Sequence, residues 1–114
     1  LGKRVSEVWL WDTTTNKRRD TYKVEWGGIE TVAYSADGRM LYAAGGGADK
    51  SPGHVTVWDT SSGKRIASFE ALNDIIWSLD LSADGKLMAV SQRGFNSSFE
   101  LWDISSLSKL VHKK

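Results

Sequence analysis

Three near-copies of one short run constrain what this chain can fold into. Val8-Trp9-Leu10-Trp11-Asp12, Val55-Thr56-Val57-Trp58-Asp59 and Phe99-Glu100-Leu101-Trp102-Asp103 each end in a Trp-Asp pair. The Trp of each pair stands at 11, 58 and 102, so the copies recur 47 and then 44 residues apart. A second motif keeps the phase: Ser35-Ala36-Asp37-Gly38 returns as Ser82-Ala83-Asp84-Gly85, again 47 residues on. Periods of this size mark a repeat architecture, in which each unit buries its apolar face only by stacking on its neighbours.

The segments between the motifs read as strands and turns. Residues 5–12 are rich in β-branched and aromatic side chains and contain no breaker. Residues 13–18, with Asn16, suit a hairpin turn, and the basic cluster Lys17-Arg18-Arg19 belongs to that solvated turn. Residues 20–25 form the return strand, and Gly27-Gly28 permits a tight reversal. Strands are then expected at 29–35, 39–44, 55–59 and 65–70, and again at 75–82, 86–91, 99–104 and 110–112. Asp37-Gly38 and Asp84-Gly85 are turns: Asp bonds its local backbone and Gly takes the left-handed position. Residues 45–54 form a glycine-rich connection, and no helix of useful length is expected.

An antiparallel strand with one wet face alternates between apolar and polar residues. Here Val57 and Trp58 point to opposite faces, as do Leu101 and Trp102, and all four are large and apolar. Sheets built from such strands are covered on both sides. The expected fold class is therefore all-β, a partial β-propeller of four-stranded antiparallel blades. Its organisation is an outer half blade at 1–28, a complete blade at 29–74 and a complete blade at 75–114.

The three Trp-Asp runs and the two Ser-Ala-Asp-Gly turns resemble the WD40 family of β-propellers, over nearly the whole chain. The resemblance implies that residues 29–35 and 76–82 are the innermost strands, lining a central channel. It places 8–12, 55–59 and 99–103 third in their blades, with 20–25, 65–70 and 110–112 outermost. It makes Trp11, Trp58 and Trp102 core residues and gives Asp12, Asp59, Asp103, Asp37, Gly38, Asp84 and Gly85 structural roles in turns. The sequence departs from the family pattern in lacking Gly-His ahead of the innermost strands. The family's Asp ahead of Trp-Asp falls on Pro52 and Asn96. The hydrogen-bonded network those residues commonly form is expected to be broken. A propeller closes with about four blades or more, so the remaining blades are expected from the same longer chain or from another chain. A contiguous piece of a longer chain accounts for this best, with a split or engineered propeller and a small open sheet as the alternatives.

Composition narrows function mainly by exclusion. Fifteen Lys and Arg against fourteen Asp and Glu give a net charge of +1. That balance gives no basic surplus to recruit nucleic acid or an anionic membrane. No cysteine is present, which excludes thiol chemistry and fits a reducing, intracellular setting. No stretch has the length of an apolar transmembrane helix. The loop from Gly45 to Ser51 lacks the Gly before Lys50 and the following helix that a phosphate cradle requires. His54 and His112 lie in different units without carboxylates at metal spacing. Asn96-Ser97-Ser98 matches the glycosylation triplet, a common pattern. No catalytic residue, cofactor or metal is expected.

What remains is recognition of protein partners by loops on a rigid scaffold. The connections between blades, and those between each blade's second and third strands, share one end of the fold. Candidate partner-binding residues there are Trp26, Asp49, Lys50, Asn73, Asp74, Arg93 and Phe95. Trp26 is equally suited to packing beneath its own loop. The leading expectation is a non-catalytic interaction scaffold. The alternative is an accessory propeller domain of a larger enzyme or receptor whose active site lies elsewhere.

Overall fold

The computed structural model describes residues 5–46, 52–92 and 98–105, together with the backbone of 108–113. Among these residues every regular element is a β-strand. A two-stranded sheet pairs β1 (Ser6–Asp12) with β2 (Lys17–Val24). The second sheet is an antiparallel meander of β3 (Gly28–Tyr34), β4 (Met40–Gly46), β5 (Gly53–Asp59) and β6 (Arg65–Ala71). The third repeats that order with β7 (Ile76–Leu81), β8 (Leu87–Gln92), β9 (Phe99–Asp103) and β10 (Ser108–Lys113).

Side-chain alternation along the strands assigns the two faces of the second sheet to different neighbours. Leu41, Ala43 and Trp58 pack with Tyr22 and Val24 of the first sheet. Tyr42, Ala44, Val55 and Val57 pack with Ile76, Leu79, Met88 and Val90 of the third. Val57 and Trp58 thus serve separate cores, and β7 lies against β3 and β4. The whole is a partial β-propeller: sheets stacked face to face, with their first strands drawn together.

The two seams are built alike. Tyr22 on the outer strand of the first sheet lies over Trp58 of the second, with ring centroids 5.2 Å apart. Phe69 on the outer strand of the second lies over Trp102 of the third, at 4.8 Å. Trp58 is 3% exposed. Its counterpart Trp11 is 49% exposed, which departs from the core position expected for it. Val8 and Leu10 turn toward the second sheet. Trp9 and Trp11 alternate with them on the opposite face, which no described strand covers.

Burial raises the Tyr22 phenol above its ordinary pKa, and among the described residues its buried hydroxyl has no hydrogen-bond partner. A buried hydroxyl left unpaired costs stability. Tyr22→Phe is therefore expected to raise stability by about 1 kcal/mol while keeping the ring over Trp58. Urea denaturation of the two forms checks this, and a loss of stability would contradict it.

The turn motifs owe their sequences to hydrogen bonding. Ser35 Oγ donates to Asp37 Oδ1 at 2.7 Å and accepts the Met40 amide at 3.0 Å. Asp37 Oδ1 also accepts the Arg39 amide at 3.0 Å. Ser82, Asp84, Lys86 and Leu87 repeat each of these bonds. Gly38 and Gly85 stand at φ 74° and 75°, the left-handed region where a Cβ is strained. The Asp of each Trp-Asp pair caps the next turn. Asp12 accepts amides from Thr14 and Thr15, Asp59 from Ser61 and Ser62, and Asp103 from Ser105.

These bonds hold four carboxyls below the usual range. The leading causes are the Thr14 amide for Asp12, the Arg39 amide for Asp37, the Ser61 hydroxyl for Asp59 and the Ser82 hydroxyl for Asp84. A depressed folded-state pKa contributes stability that is complete above the unfolded value and lost as pH falls through the folded one. Stability is therefore expected to decline from about pH 4 downward, around the ordinary Asp value. Asp59→Asn should flatten part of that decline. Thermal melts across an acid series check it, and identical profiles for the two forms would contradict it.

One sequence expectation is corrected here. Lys17, Arg18 and Arg19 are the first residues of β2 rather than turn residues. Asn16, at φ 57°, closes the turn before them, and the Arg18 guanidinium sits 4.4 Å from the Trp9 ring centroid. The cation–π contact and cross-strand pairing draw this polar run into the sheet.

Candidate functional site at the connection end

The segments that carry the chain from one sheet to the next, β2 to β3 and β6 to β7, lie at the same end as the β4–β5 connection. Both form a hydrogen bond into the third strand of the sheet they enter. Trp26 follows β2, and its Nε1 donates to Thr56 Oγ1 of β5 at 2.8 Å. Leu72 follows β6, and its backbone amide donates to Glu100 Oε1 of β9 at 3.2 Å. Glu100 Oε1 also accepts Trp102 Nε1 at 3.0 Å, and the Thr56 hydroxyl bonds Ser68 Oγ at 2.9 Å. Thr56 and Glu100 each stand two residues before the Trp of a Trp-Asp pair, and both are buried. They anchor two polar ties, one per seam, made by different chemistry.

The Trp26 indole also stacks on the His54 ring, with centroids 5.6 Å apart and planes 9° from parallel. His54 Nδ1 lies 3.2 Å from the Pro52 carbonyl, and Nε2 lies 3.7 Å from a Glu70 carboxylate oxygen. His54 therefore forms the outer layer of the first tie. Because Trp26 is half-buried, an indole nitrogen that loses Thr56 gains partial access to water. Thr56→Val also removes the bond to Ser68 and is accordingly expected to cost about 2 kcal/mol, near the net worth of two hydrogen bonds. Thr56→Ser should recover most of it. Thermal denaturation of both forms tests this, and equal melting of wild type and Thr56→Val would contradict it.

The proposed partner-binding residues occupy different settings. Trp26 is a seam residue, packed among the second core cluster with only part of its ring exposed. Asn73 is exposed in the β6–β7 connection, beside Leu72, whose φ of 65° is left-handed. Asp74 is half-buried, and its Oδ1 accepts the Ile75 amide at 2.6 Å. Asp49, Lys50, Arg93 and Phe95 lie outside the described residues. Trp77, not singled out from the sequence, is an exposed aromatic near this end. It occupies the irregularity between Ile76 and Ser78 in the β7–β8 register. Thr56 and Glu100 also went unremarked. Their signal was a polar side chain on the same strand face as the repeated Trp two positions later.

The arrangement defines a class by fold: stacked four-stranded antiparallel sheets in a partial propeller. Neither a protein-family model nor a curated protein matches the sequence. Solved structures do match, 272 chains in all. One of them is a chain of Kuenenia stuttgartiensis hydrazine synthase, with a TM-score of 0.82 at 20% identity. The superposition covers 94% of this chain and 30% of that one. At that identity the likeness is one of fold. The chain spans under a third of the length of this structural neighbour.

Proposed function

We propose that the chain is a non-catalytic protein-interaction scaffold, forming part of a larger WD40-like propeller and docking proteins at its connection end. The observation that carries this reading is the pair of ties, Trp26–Thr56 and Leu72–Glu100. They fix the loops of that end against the strands behind them. A recognition loop held before binding loses little freedom when a partner arrives. Exposed Asn73 and half-buried Asp74 then present polar groups from an ordered backbone. The likeness to a hydrazine synthase chain favours a second reading, an accessory propeller domain within a larger enzyme.

Affinity capture with a variant at each end tests the proposal. Asn73→Arg alters the connection end and spares Trp26, whose loss would loosen a seam. Ala36→Arg with Ala83→Arg alters the exposed turns at the opposite end. The connection-end variant should weaken captured partners by about 2 kcal/mol or more, the threshold for an interface hot spot, with circular dichroism unchanged. The turn-end variant should capture normally. The reverse pattern would move the binding face to the turns, and unchanged capture by both variants would remove the scaffold reading.

A further inference from the structure

The seam between the two four-stranded sheets is not filled at its turn end. Ser35-Ala36-Asp37-Gly38 and Ser82-Ala83-Asp84-Gly85 stand side by side there, and a hollow of about 280 Å3 opens between them. Half-buried Met40, Leu81 and Ile104 give it an apolar floor, with Tyr42 in the wall. Exposed Asp37 and Asp84 stand at its mouth.

Tyr42 is 5% exposed, yet among the described residues its hydroxyl makes no hydrogen bond. Burial and the Asp37 charge raise the phenol above its ordinary pKa, which puts the oxygen on the Asp37 side of the hollow. Polar groups at such depth are as a rule paired. Tyr42 thus holds an acceptor for a donor that the surrounding strands do not supply. The carboxylates also have spare capacity. The turn bonds use Oδ1 of Asp37 and of Asp84, which leaves each Oδ2 for a ligand. Arg39 and Lys86 are exposed and do not line the hollow, so the charge met by a bound molecule is negative.

The lining selects the kind of cation. Calcium takes about six or more oxygen ligands, and a floor of hydrocarbon and thioether offers none. We propose that the hollow binds a small organic ammonium ion, with its N–H groups on Asp37, Asp84 and Tyr42 and its hydrocarbon body on Met40, Leu81 and Ile104. A primary ammonium carries three donors at one end, and a short alkyl chain behind it matches the floor. The site lies at the opposite end of the sheets from the connection loops and is independent of the scaffold reading.

Hexylammonium chloride is the probe, followed by saturation-transfer NMR and by amide shifts of the protein, with hexanol and hexanoate as neutral and anionic counterparts. Hexylammonium should bind, shift the amides of residues 37–42 and 82–85, and outcompete both counterparts. Asp37→Asn with Asp84→Asn keeps a side-chain carbonyl for each turn and should weaken binding about tenfold, because charged hydrogen bonds are the stronger ones. Tyr42→Phe keeps the ring, removes only the unpaired hydroxyl, and should weaken binding about fivefold with no loss of Tm. Asp59→Asn changes a similar turn carboxylate that does not line the hollow and should bind as wild type does. Ala36→Arg with Ala83→Arg places cations at the mouth and should abolish binding.

Absence of hexylammonium binding overturns the proposal. So does hexanol binding as tightly, which would leave only an apolar cleft, or displacement of the probe by calcium chloride, which would make the site one for a metal ion. Equal binding by wild type and Tyr42→Phe removes the hydroxyl from the site and overturns it as stated. Should the double Asn variant fail to fold, Tyr42→Phe and the Arg pair decide alone. Ammonium binding tests this site and partner capture tests the scaffold, so either reading can fail without the other.

Discussion

Trp58→Ala is expected to destabilise the fold by about 3–5 kcal/mol, the range for truncating a large buried aromatic. The indole is 3% exposed, tilted over Tyr22, and packed with Leu41 and Ala43. Removing it opens a cavity at the seam between the first two sheets, and strands paired on both edges have little room to collapse into it. The same change at Trp11, which is 49% exposed, should cost far less, since its apolar face already meets water. Denaturant unfolding of both variants gives the comparison. Equal losses would mean that the seam is not where the energy lies.

The second large effect is expected at Gly45. A Cβ there would overlap the Gly28 carbonyl oxygen and sit 3.0 Å from the Glu30 amide nitrogen. Both are backbone atoms of β3, so no rotamer change relieves the clash. β3 and β4 would have to separate beside the register shift at Ile29/Thr31. Gly45→Ala should therefore reach the upper part of the overpacking range, about 3 kcal/mol. Gly28→Ala supplies the control, because its Cβ meets nothing within 4 Å and its φ is not in the left-handed region. It should be neutral or stabilise by up to about 1 kcal/mol through the unfolded chain. Chemical denaturation decides, and a Gly45→Ala protein as stable as Gly28→Ala would refute the close approach.

The sequence made the fold legible wherever a motif repeated. Trp58, Asp59, Asp37-Gly38 and Asp84-Gly85 recur in phase, and each does in the structure what its chemistry requires: fill a seam, cap a turn, or take a left-handed φ. Legibility ended where the units differ. Glu100 and Thr56 perform one task with a carboxylate and a hydroxyl, and their donors are a backbone amide and an indole. A tie whose members change identity between repeats leaves no sequence signature. Trp11 looked like Trp58 because local sequence does not state whether a neighbouring sheet is present. The basic run at Lys17–Arg19 looked like a turn because a strand shielded by cation–π contact on its surface carries no apolar alternation. The candidate site was the least legible part, since exposure of Asn73 and burial of Trp26 depend on contacts made across the seams.

The two seams also have a direction. In each, the outer strand of one sheet offers an aromatic ring and the third strand of the next receives it with a Trp. Donor and acceptor surfaces are different, so the stack has a head and a tail, and a two-fold pairing of like faces does not reproduce the contact. Interfaces of this sort are heterologous: repeated, they close into a ring or run on as a filament. Which of the two occurs is decided by the angle between successive sheets, not by the strength of any one contact. A substitution at Tyr22 or Phe69 that tilts one sheet against the next would therefore act on that angle as well as on stability.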